Sequence, residues 1–145
     1  MVINIGKALG GDWDYLEREI GAVAEASHEN GAIVKVIFET DYVSDDASIK
    51  KLCEICTEVK ADYVKTSSGF GFVKGEDGRY SYKGATIPHL KLMKASSGPN
   101  VKVKAAGGVR TLDELIAVQE AGCTRCGATA TAIMLDEAKK RFGDG

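Results

Sequence analysis

Short apolar runs rich in β-branched residues alternate along the chain with longer segments whose apolar residues recur at helical spacing. Because strands are short and favour β-branched residues, these runs predict strands at 2–5, 33–38, 62–67, 101–106 and 123–130. Strict alternation of strands with helices is typical of a parallel sheet joined by right-handed crossovers. The pattern therefore predicts an α/β fold built from successive βα units.

The predicted helices have recognisable first and last residues. One helix begins after Asp12 and ends near Gly31, a glycine of the kind that often follows a helix. Ser44 is expected to cap a second helix, with acidic residues in its first turn. Thr111 and Glu114 have the spacing of a capping box for a third.

One connection, residues 71–85, is unusually long, glycine-rich and charged. It follows the predicted strand that contains Lys65. In parallel α/β folds, ligands bind in the loops that follow the carboxyl ends of strands. The placement of this connection therefore favours a binding site near Lys65.

Length and charge exclude several classes of protein. The 145 residues are one domain's worth of chain, so we expect a single domain over 1–145. With 19 basic and 21 acidic residues, the net charge is −2, and neither sign forms a long block. Such a balance argues against nucleic-acid and membrane partners. Without a signal peptide or membrane span in the sequence, the expected location is the cytoplasm.

The four cysteines form two C-x-x-C pairs, a spacing that also occurs in zinc sites. Cys53 and Cys56 fall on the apolar stripe of a predicted helix, so we expect them in the core. Cys123 and Cys126 begin a predicted strand, and residues three apart in a regular strand point to opposite faces. We therefore predict that neither cysteine pair forms a metal site.

Lys65 and Lys104 stand near the ends of consecutive predicted strands. Since neighbouring strands lie about 4.8 Å apart, two inward-pointing lysines at one level would each disfavour the other's charge. A lysine with a lowered pKa is a free amine that can attack a carbonyl and form a Schiff base. Either lysine taken alone could equally extend its ammonium group to solvent.

The last two predicted strands are followed by turns of small residues. Gly107 and Gly108 allow backbone N–H groups to approach an anion, and Gly127 to Thr129 lead into a helix N-terminus. In (β/α)8 barrels, phosphate commonly binds in the loops after the seventh and eighth strands. Tight βα turns with no ligand would produce the same composition.

The segments VKVIFET, DYVKTSSGF, VKVKAAGGVRTLDE and AGCTRCGATATAI resemble, in order and spacing, the deoxyribose-phosphate aldolases, a family of class I aldolases. The resemblance extends over essentially the whole chain. It implies about strands four to eight of a (β/α)8 barrel, and reversible cleavage of 2-deoxy-D-ribose 5-phosphate to acetaldehyde and D-glyceraldehyde 3-phosphate without a cofactor. It implies Lys65 as the Schiff-base lysine and Lys104 as the cation that lowers its pKa. Substrate and phosphate contacts are implied for Ser68, Gly69, Gly107, Gly108, Gly127 and Thr129.

The chain also departs from that family. About three upstream βα units, and the aspartate that moves a proton, are absent from this sequence. Lys102 adds a cation on the face of Lys104, Ala130 stands where a phosphate-contacting serine is common, and Cys126 replaces an isoleucine. Glu39 is a possible substitute proton relay, although it could instead pair with Lys35 or Lys102. Weak activity is therefore expected.

A partial barrel is expected to expose two strand edges and an apolar inner face. A homo-oligomer would cover them, and so would a complementing N-terminal half-barrel chain. Two functions remain open. The chain is either an aldolase acting on small phosphosugars and aldehydes, or a non-catalytic half-barrel remnant that binds phosphate or serves as an assembly module.

Overall fold

The computed structural model describes residues 1–143. Helices and strands follow one another in the order α1 (Ile5–Leu9), α2 (Trp13–Glu29), β1 (Lys35–Ile37), α3 (Asp46–Glu58), β2 (Tyr63–Lys65), β3 (Val73–Lys74), β4 (Tyr80–Ser81), α4 (Ile87–Ser96), β5 (Lys102–Ala106), α5 (Leu112–Glu120), β6 (Cys123–Gly127) and α6 (Thr131–Phe142). Within this described part of the chain, no helix has the length and apolar character needed to cross a membrane.

Four strands form one parallel sheet in the order β1-β2-β5-β6, and helices connect them. This confirms the predicted α/β architecture and is consistent with part of a barrel. The long connection 71–85, here called the arm, contains the short antiparallel hairpin of β3 and β4. Because all four strands of the main sheet run the same way, their carboxyl ends meet at one edge, next to the arm.

The strand predicted at 2–5 is wrong in extent. Val2 makes a single parallel bridge to Ile37, and the amide of Ile3 donates to the carbonyl oxygen of Ile37 at 3.1 Å. The chain then turns into α1, because the Asn4 side chain accepts a hydrogen bond from the amide of Lys7 at 3.0 Å. A capping side chain thus ends the extended segment after three residues, and the sheet has four strands rather than five.

The caps of three helices can be compared with the sequence predictions. Asp12 caps α2, and the Thr111–Glu114 capping box of α5 is present, as predicted. The cap of α3 is Asp45 rather than Ser44, with the Asp45 carboxylate accepting from the amide of Ser48 at 2.8 Å. Hydrogen bonds from Ser48 are the main reason that the pKa of Asp45 lies below its usual value. A carboxylate at this position also interacts favourably with the positive end of the helix dipole, and an uncharged serine hydroxyl does so less strongly.

One face of the sheet is covered by helices and forms the core. Its side chains include Val36, Val64 and Val103, which are fully buried together with Leu52 of α3 and Leu90 of α4. These valines alternate along their strands with less buried residues, as expected when one face packs against helices. The alternation is what fixes which side chains point to the opposite, inner face.

The inner face is cationic, so the expectation of an apolar face is wrong. The Tyr63 ring lies there near two cations: its centroid is 5.6 Å from Lys35 Nζ and 4.9 Å from Arg125 Cζ. Strand register and alternation place on this face Lys35, Lys65, Lys102, Lys104 and Arg125. Lys102 and Arg125 are exposed, because an open sheet lets long cationic side chains reach water.

The prediction from sequence is confirmed for the first cysteine pair and wrong for the second. Cys53 and Cys56 are buried core residues of α3, as predicted, and burial raises the pKa of Cys53 to about 11. Cys123 and Cys126 do not point to opposite faces. A bulge aligns them with Val103 and Ala105, which are two residues apart, so both point towards the helices.

The two threonine N-caps provide a test of helix capping. Thr111 accepts from the Glu114 amide, whereas Thr86, the N-cap of α4, makes no such bond. We expect Thr111→Ala to lower the free energy of unfolding by about 1 kcal/mol. Thr86→Ala should cost less than about 0.5 kcal/mol. Urea unfolding of both variants measures the difference, and equal losses would contradict the capping box as a stabilising contact.

Candidate active site

A cavity of about 290 Å³ opens at the carboxyl ends of β2, β5 and β6. It brings together the two predicted lysines with the predicted substrate and phosphate residues, which lie on three different loops. From these predictions the lining includes Lys65, Lys104, Ser68, Gly69, Gly107, Gly108, Gly127 and Thr129. Glu39 lies behind this lining rather than in it. The structure therefore gathers residues that are more than sixty positions apart in sequence into one site.

Lys65 and Lys104 are paired directly across the β2–β5 register. Side chains at one level of neighbouring parallel strands point the same way, so both amines extend over the inner face. Lys65 Nζ donates a hydrogen bond to the carbonyl oxygen of Ser67 at 2.7 Å. That bond holds the amine at the cavity wall and leaves its lone pair free whenever the group is deprotonated.

The surroundings of Lys65 lower its pKa. Partial burial contributes most, since removal from water penalises the charged form, and the positive charge of Lys104 comes second. Lys35 adds a smaller effect in the same direction, whereas the Glu39 carboxylate opposes it. The fraction of free amine at neutral pH is therefore larger than for an ordinary lysine, which is the condition for attack on a carbonyl.

Glu39 is 3% exposed and hydrogen-bonds to a loop of the site rather than to a lysine. Its Oε1 accepts from the amide of Ser68 at 3.0 Å, and its Oε2 accepts from the Ser68 hydroxyl. Among the described residues, neither Lys35 nor Lys102 forms an ion pair with it, contrary to the alternative considered from sequence. Its left-handed backbone, with φ of 55°, directs the chain from β1 into a tight turn.

Two loops of small residues line the cavity. Gly107 and Gly108 both have positive φ, at 85° and 82°, a conformation that glycine adopts readily because it has no Cβ. The second loop, 127–129, leads directly into α6, whose N-cap Ala130 makes no side-chain capping bond. The first amides of α6 are thus left without a capping side chain, and the helix dipole favours an anion there.

Among the cavity residues that were not predicted from the sequence, three carry aromatic or cationic side chains. Phe70, 85% exposed, contributes aromatic surface just before the arm, Tyr82 contributes it from the arm, and Arg110 adds a cation after the double glycine. Arg110 could have been found, because it lies two residues after Gly108 of a predicted anion loop. Tyr82 could not, since its approach depends on how the arm folds back on the sheet.

The arm packs closely against the first anion loop. A Cβ built on Gly84 would lie 2.5 Å from the carbonyl carbon and oxygen of Gly107, far inside van der Waals contact. The amide of Ala85 donates to the carbonyl oxygen of Gly107 at 3.0 Å. Residue 84 therefore has room for glycine alone in this arrangement, and the arm forms one wall of the site.

The chain resembles known proteins in both sequence and structure. No family model matches the chain. The chain is 51% identical over 142 residues to a deoxyribose-phosphate aldolase of Rhodopirellula baltica, with 98% of this chain and 54% of the relative covered. It is 43% identical over 139 residues to a deoxyribose-phosphate aldolase of Thermococcus gammatolerans, with 96% and 57% covered.

Solved structures give the same result. The aldolase QR15 superposes with a TM-score of 0.81 at 34% identity, covering 97% of this chain and 57% of that structure. The deoxyribose phosphate aldolase of Aeropyrum pernix, described as having a unique tetrameric structure, superposes with a TM-score of 0.71 at 26% identity. That match covers 88% of this chain and 50% of the Aeropyrum chain.

The chain spans about half the length of the curated relatives it matches, and that half is their C-terminal part. The parallel sheet of four strands is consistent with the share of the solved barrels that is covered. The cavity described above thus lies in a partial barrel whose inner face is open.

Two glycines with the same backbone strain test whether the arm must contact the anion loop. Gly84 and Gly31 have φ of 70° and 67°, but a Cβ at Gly31 meets nothing within 4 Å. We expect Gly31→Ala to cost about 1–2 kcal/mol in unfolding free energy from backbone strain alone. Gly84→Ala should cost at least about 1 kcal/mol more, because of the clash with Gly107. Equal losses in urea unfolding would show that the arm is free to move away.

Proposed function

Since this chain belongs to the deoxyribose-phosphate aldolase family, whose C-terminal part it matches, we propose that it performs the Schiff-base chemistry of a class I aldolase. The proposed reaction is reversible cleavage of 2-deoxy-D-ribose 5-phosphate to acetaldehyde and D-glyceraldehyde 3-phosphate. One observation supports it most: Lys65 and Lys104 face one cavity side by side, and burial and the neighbouring cation lower the pKa of Lys65.

In the proposed first step, the neutral Lys65 amine donates its lone pair to the carbonyl carbon of the substrate aldehyde. The carbinolamine then loses water and becomes a protonated imine. Glu39, acting through the Ser68 hydroxyl, takes the proton of the substrate's C3 hydroxyl, and that oxygen becomes the carbonyl of D-glyceraldehyde 3-phosphate. As the C2–C3 bond breaks, its electron pair passes to the imine, so that D-glyceraldehyde 3-phosphate leaves and an enamine remains on Lys65. Protonation of the enamine, followed by addition of water, releases acetaldehyde and restores the amine.

The phosphate group of the sugar is proposed to bind at the two anion loops. Backbone amides of Gly107 and Gly108, the N-terminus of α6 and the Arg110 guanidinium together provide donors and positive charge. Lys104 adds a further cation at the cavity. No cofactor takes part in the proposed reaction, because the electron pair is accepted by the imine.

Proton transfer is the step for which the described site provides the fewest residues. Glu39 is the proposed proton relay. Its carboxylate accepts a hydrogen bond from the Ser68 hydroxyl, and Ser68 lines the cavity. Protons would therefore pass between Glu39 and the substrate through that hydroxyl. General acid–base catalysis contributes roughly 10² to 10⁴ in rate. An indirect route through one hydroxyl supports slow turnover with an intact imine-forming step.

Completion of the barrel is also part of the proposal. The strand order leaves β6 with one unpaired edge among the described residues. Two copies placed inner face to inner face would bring cation against cation, which charge repulsion opposes. We therefore favour either a homo-oligomer joined through strand edges or a complementing N-terminal half-barrel that places carboxylates over the cationic face.

A non-catalytic remnant that binds phosphate or serves as an assembly module is the second candidate. It is favoured by the state of Glu39, whose two oxygens are both occupied by Ser68. No carboxylate is among the described residues that line the cavity. Under this alternative, the anion loops remain useful while the lysine has no partner to complete a catalytic cycle.

Reductive trapping separates the two candidates. Incubation with acetaldehyde and sodium borohydride should reduce the imine and leave an ethyl group on Lys65, which peptide mass spectrometry detects. Lys65→Met should abolish that adduct, and Lys91→Met, an exposed lysine of α4, should leave it unchanged. Phosphate binding without any adduct on the Lys65 peptide would favour the remnant instead.

The pH dependence of trapping tests the role of Lys104. Its rate should rise with pH as Lys65 loses its proton, with a midpoint below that of an ordinary lysine, since burial and Lys104 lower the Lys65 pKa. Lys104→Met removes a positive charge, so the midpoint should move to higher pH and trapping at pH 7 should slow. Lys102→Met, an exposed cation on the same strand and face, should leave the midpoint unchanged. An unshifted midpoint in Lys104→Met would contradict the proposed charge effect.

A further inference from the structure

We propose that Asp41 is a positioning residue for the anion site: it anchors the base of the arm, and through it holds the Gly107–Gly108 loop in the conformation that binds phosphate. This inference rests on the proposed function for the identity of the anion. Asp41 does not line the cavity described above, so its proposed effect passes through the backbone of the arm.

The anchor consists of two hydrogen bonds to one carboxylate. Asp41 Oδ1 accepts from the amide of Lys83, and Oδ2 accepts from the amide of Gly84 at 3.0 Å. Among the described residues, Asp41 forms no ion pair with a lysine or arginine side chain. The carboxylate is therefore paired with backbone amides alone, and hydrogen bonds to an ionised acceptor are stronger than neutral ones.

The residues that Asp41 anchors are the residues that contact the anion loop. Gly84 lies against the backbone of Gly107, and the amide of Ala85 donates to the Gly107 carbonyl oxygen. The Lys83 carbonyl oxygen lies 3.0 Å from the position that a Cβ on Gly108 would occupy. Displacement of residues 83–85 would thus remove the contacts that support both glycines from one side.

A second contact from the same turn holds the other end of the arm. The Tyr42 hydroxyl donates to the carbonyl oxygen of Phe72 at 2.6 Å, and the Phe72 ring packs edge-on against Tyr82 at 5.2 Å. Tyr82 in turn lines the cavity beside Gly107. The turn after β1 therefore forms hydrogen bonds with both ends of the arm, and Asp41 makes those nearest the Gly107–Gly108 loop.

The expected role is in affinity rather than in imine formation. Lys65 and Ser67 lie on β2 and the residues after it, with no contact to Asp41 among the hydrogen bonds of the described chain. Loosening the arm should thus weaken phosphate binding and raise KM for the phosphorylated substrate. It should leave acetaldehyde trapping on Lys65 unchanged, because acetaldehyde carries no phosphate.

Asp41→Asn tests this with a minimal change of shape, since the amide keeps one acceptor and replaces the other with a donor facing a backbone N–H. Asp46→Asn is the matched control: it removes the same charge from an exposed residue of the first turn of α3 that makes no contact with the arm. Three measurements are made on the full chain. They are hydrogen exchange of the Ala85 amide by NMR, inorganic phosphate affinity by calorimetry, and borohydride trapping of acetaldehyde.

In Asp41→Asn, Ala85 exchange should accelerate and phosphate affinity should fall, each by about tenfold or more, because a charged hydrogen bond is lost. Trapping should match the wild type, and Asp46→Asn should match it in all three. The inference is overturned when wild-type protein binds phosphate and Asp41→Asn binds it equally well, or when Ala85 exchange does not change. Failure of the proposed function has a different signature, since the wild-type chain itself would then bind no phosphate or form no adduct.

Discussion

The register of β2 against β5 is the constraint on which the site depends. It places Lys65 beside Lys104, and a shift of one residue would set a buried side chain, Val103 or Ala105, at that level instead. The register is maintained by the opposite face, where Val64 and Val103 are fully buried against helices. The pairing of the two amines is thus a consequence of core packing. Burial of apolar side chains on one face of the sheet fixes the register, and the register places on the other face the cation that lowers the pKa of Lys65.

Charge has two effects on the inner face. The cation at Lys104 lowers the pKa of Lys65, and the same positive field favours an anion near the glycine loops. The cost is a sheet face that cannot be covered by a copy of itself without repulsion. A barrel in which carboxylates cover this face would relieve that cost, so the proposed chemistry and the proposed assembly depend on the same group of side chains.

The loops of the site are held from the turn that follows β1. Glu39 fixes the Ser68 loop, while Asp41 and Tyr42 hold the arm, so one turn holds two segments of the connection that follows β2. The left-handed backbone at Glu39 begins this turn and lets both carboxylates reach their partners. Backbone strain at one residue is thereby offset by hydrogen bonds to two segments of that connection.

The sequence by itself determined the βα alternation, the capping box at Thr111, the two lysines and the glycine loops, because each depends on local periodicity or on residue types within a few positions. It could not determine the short pairing of residues 2–5, where the Asn4 cap ended the strand, or the bulge that turned Cys126 to the helix side. Nor could it determine where Glu39, Asp41 and Tyr82 would lie. Those positions follow from contacts between loops that are distant in sequence, and only the packing of the arm onto the sheet decided them.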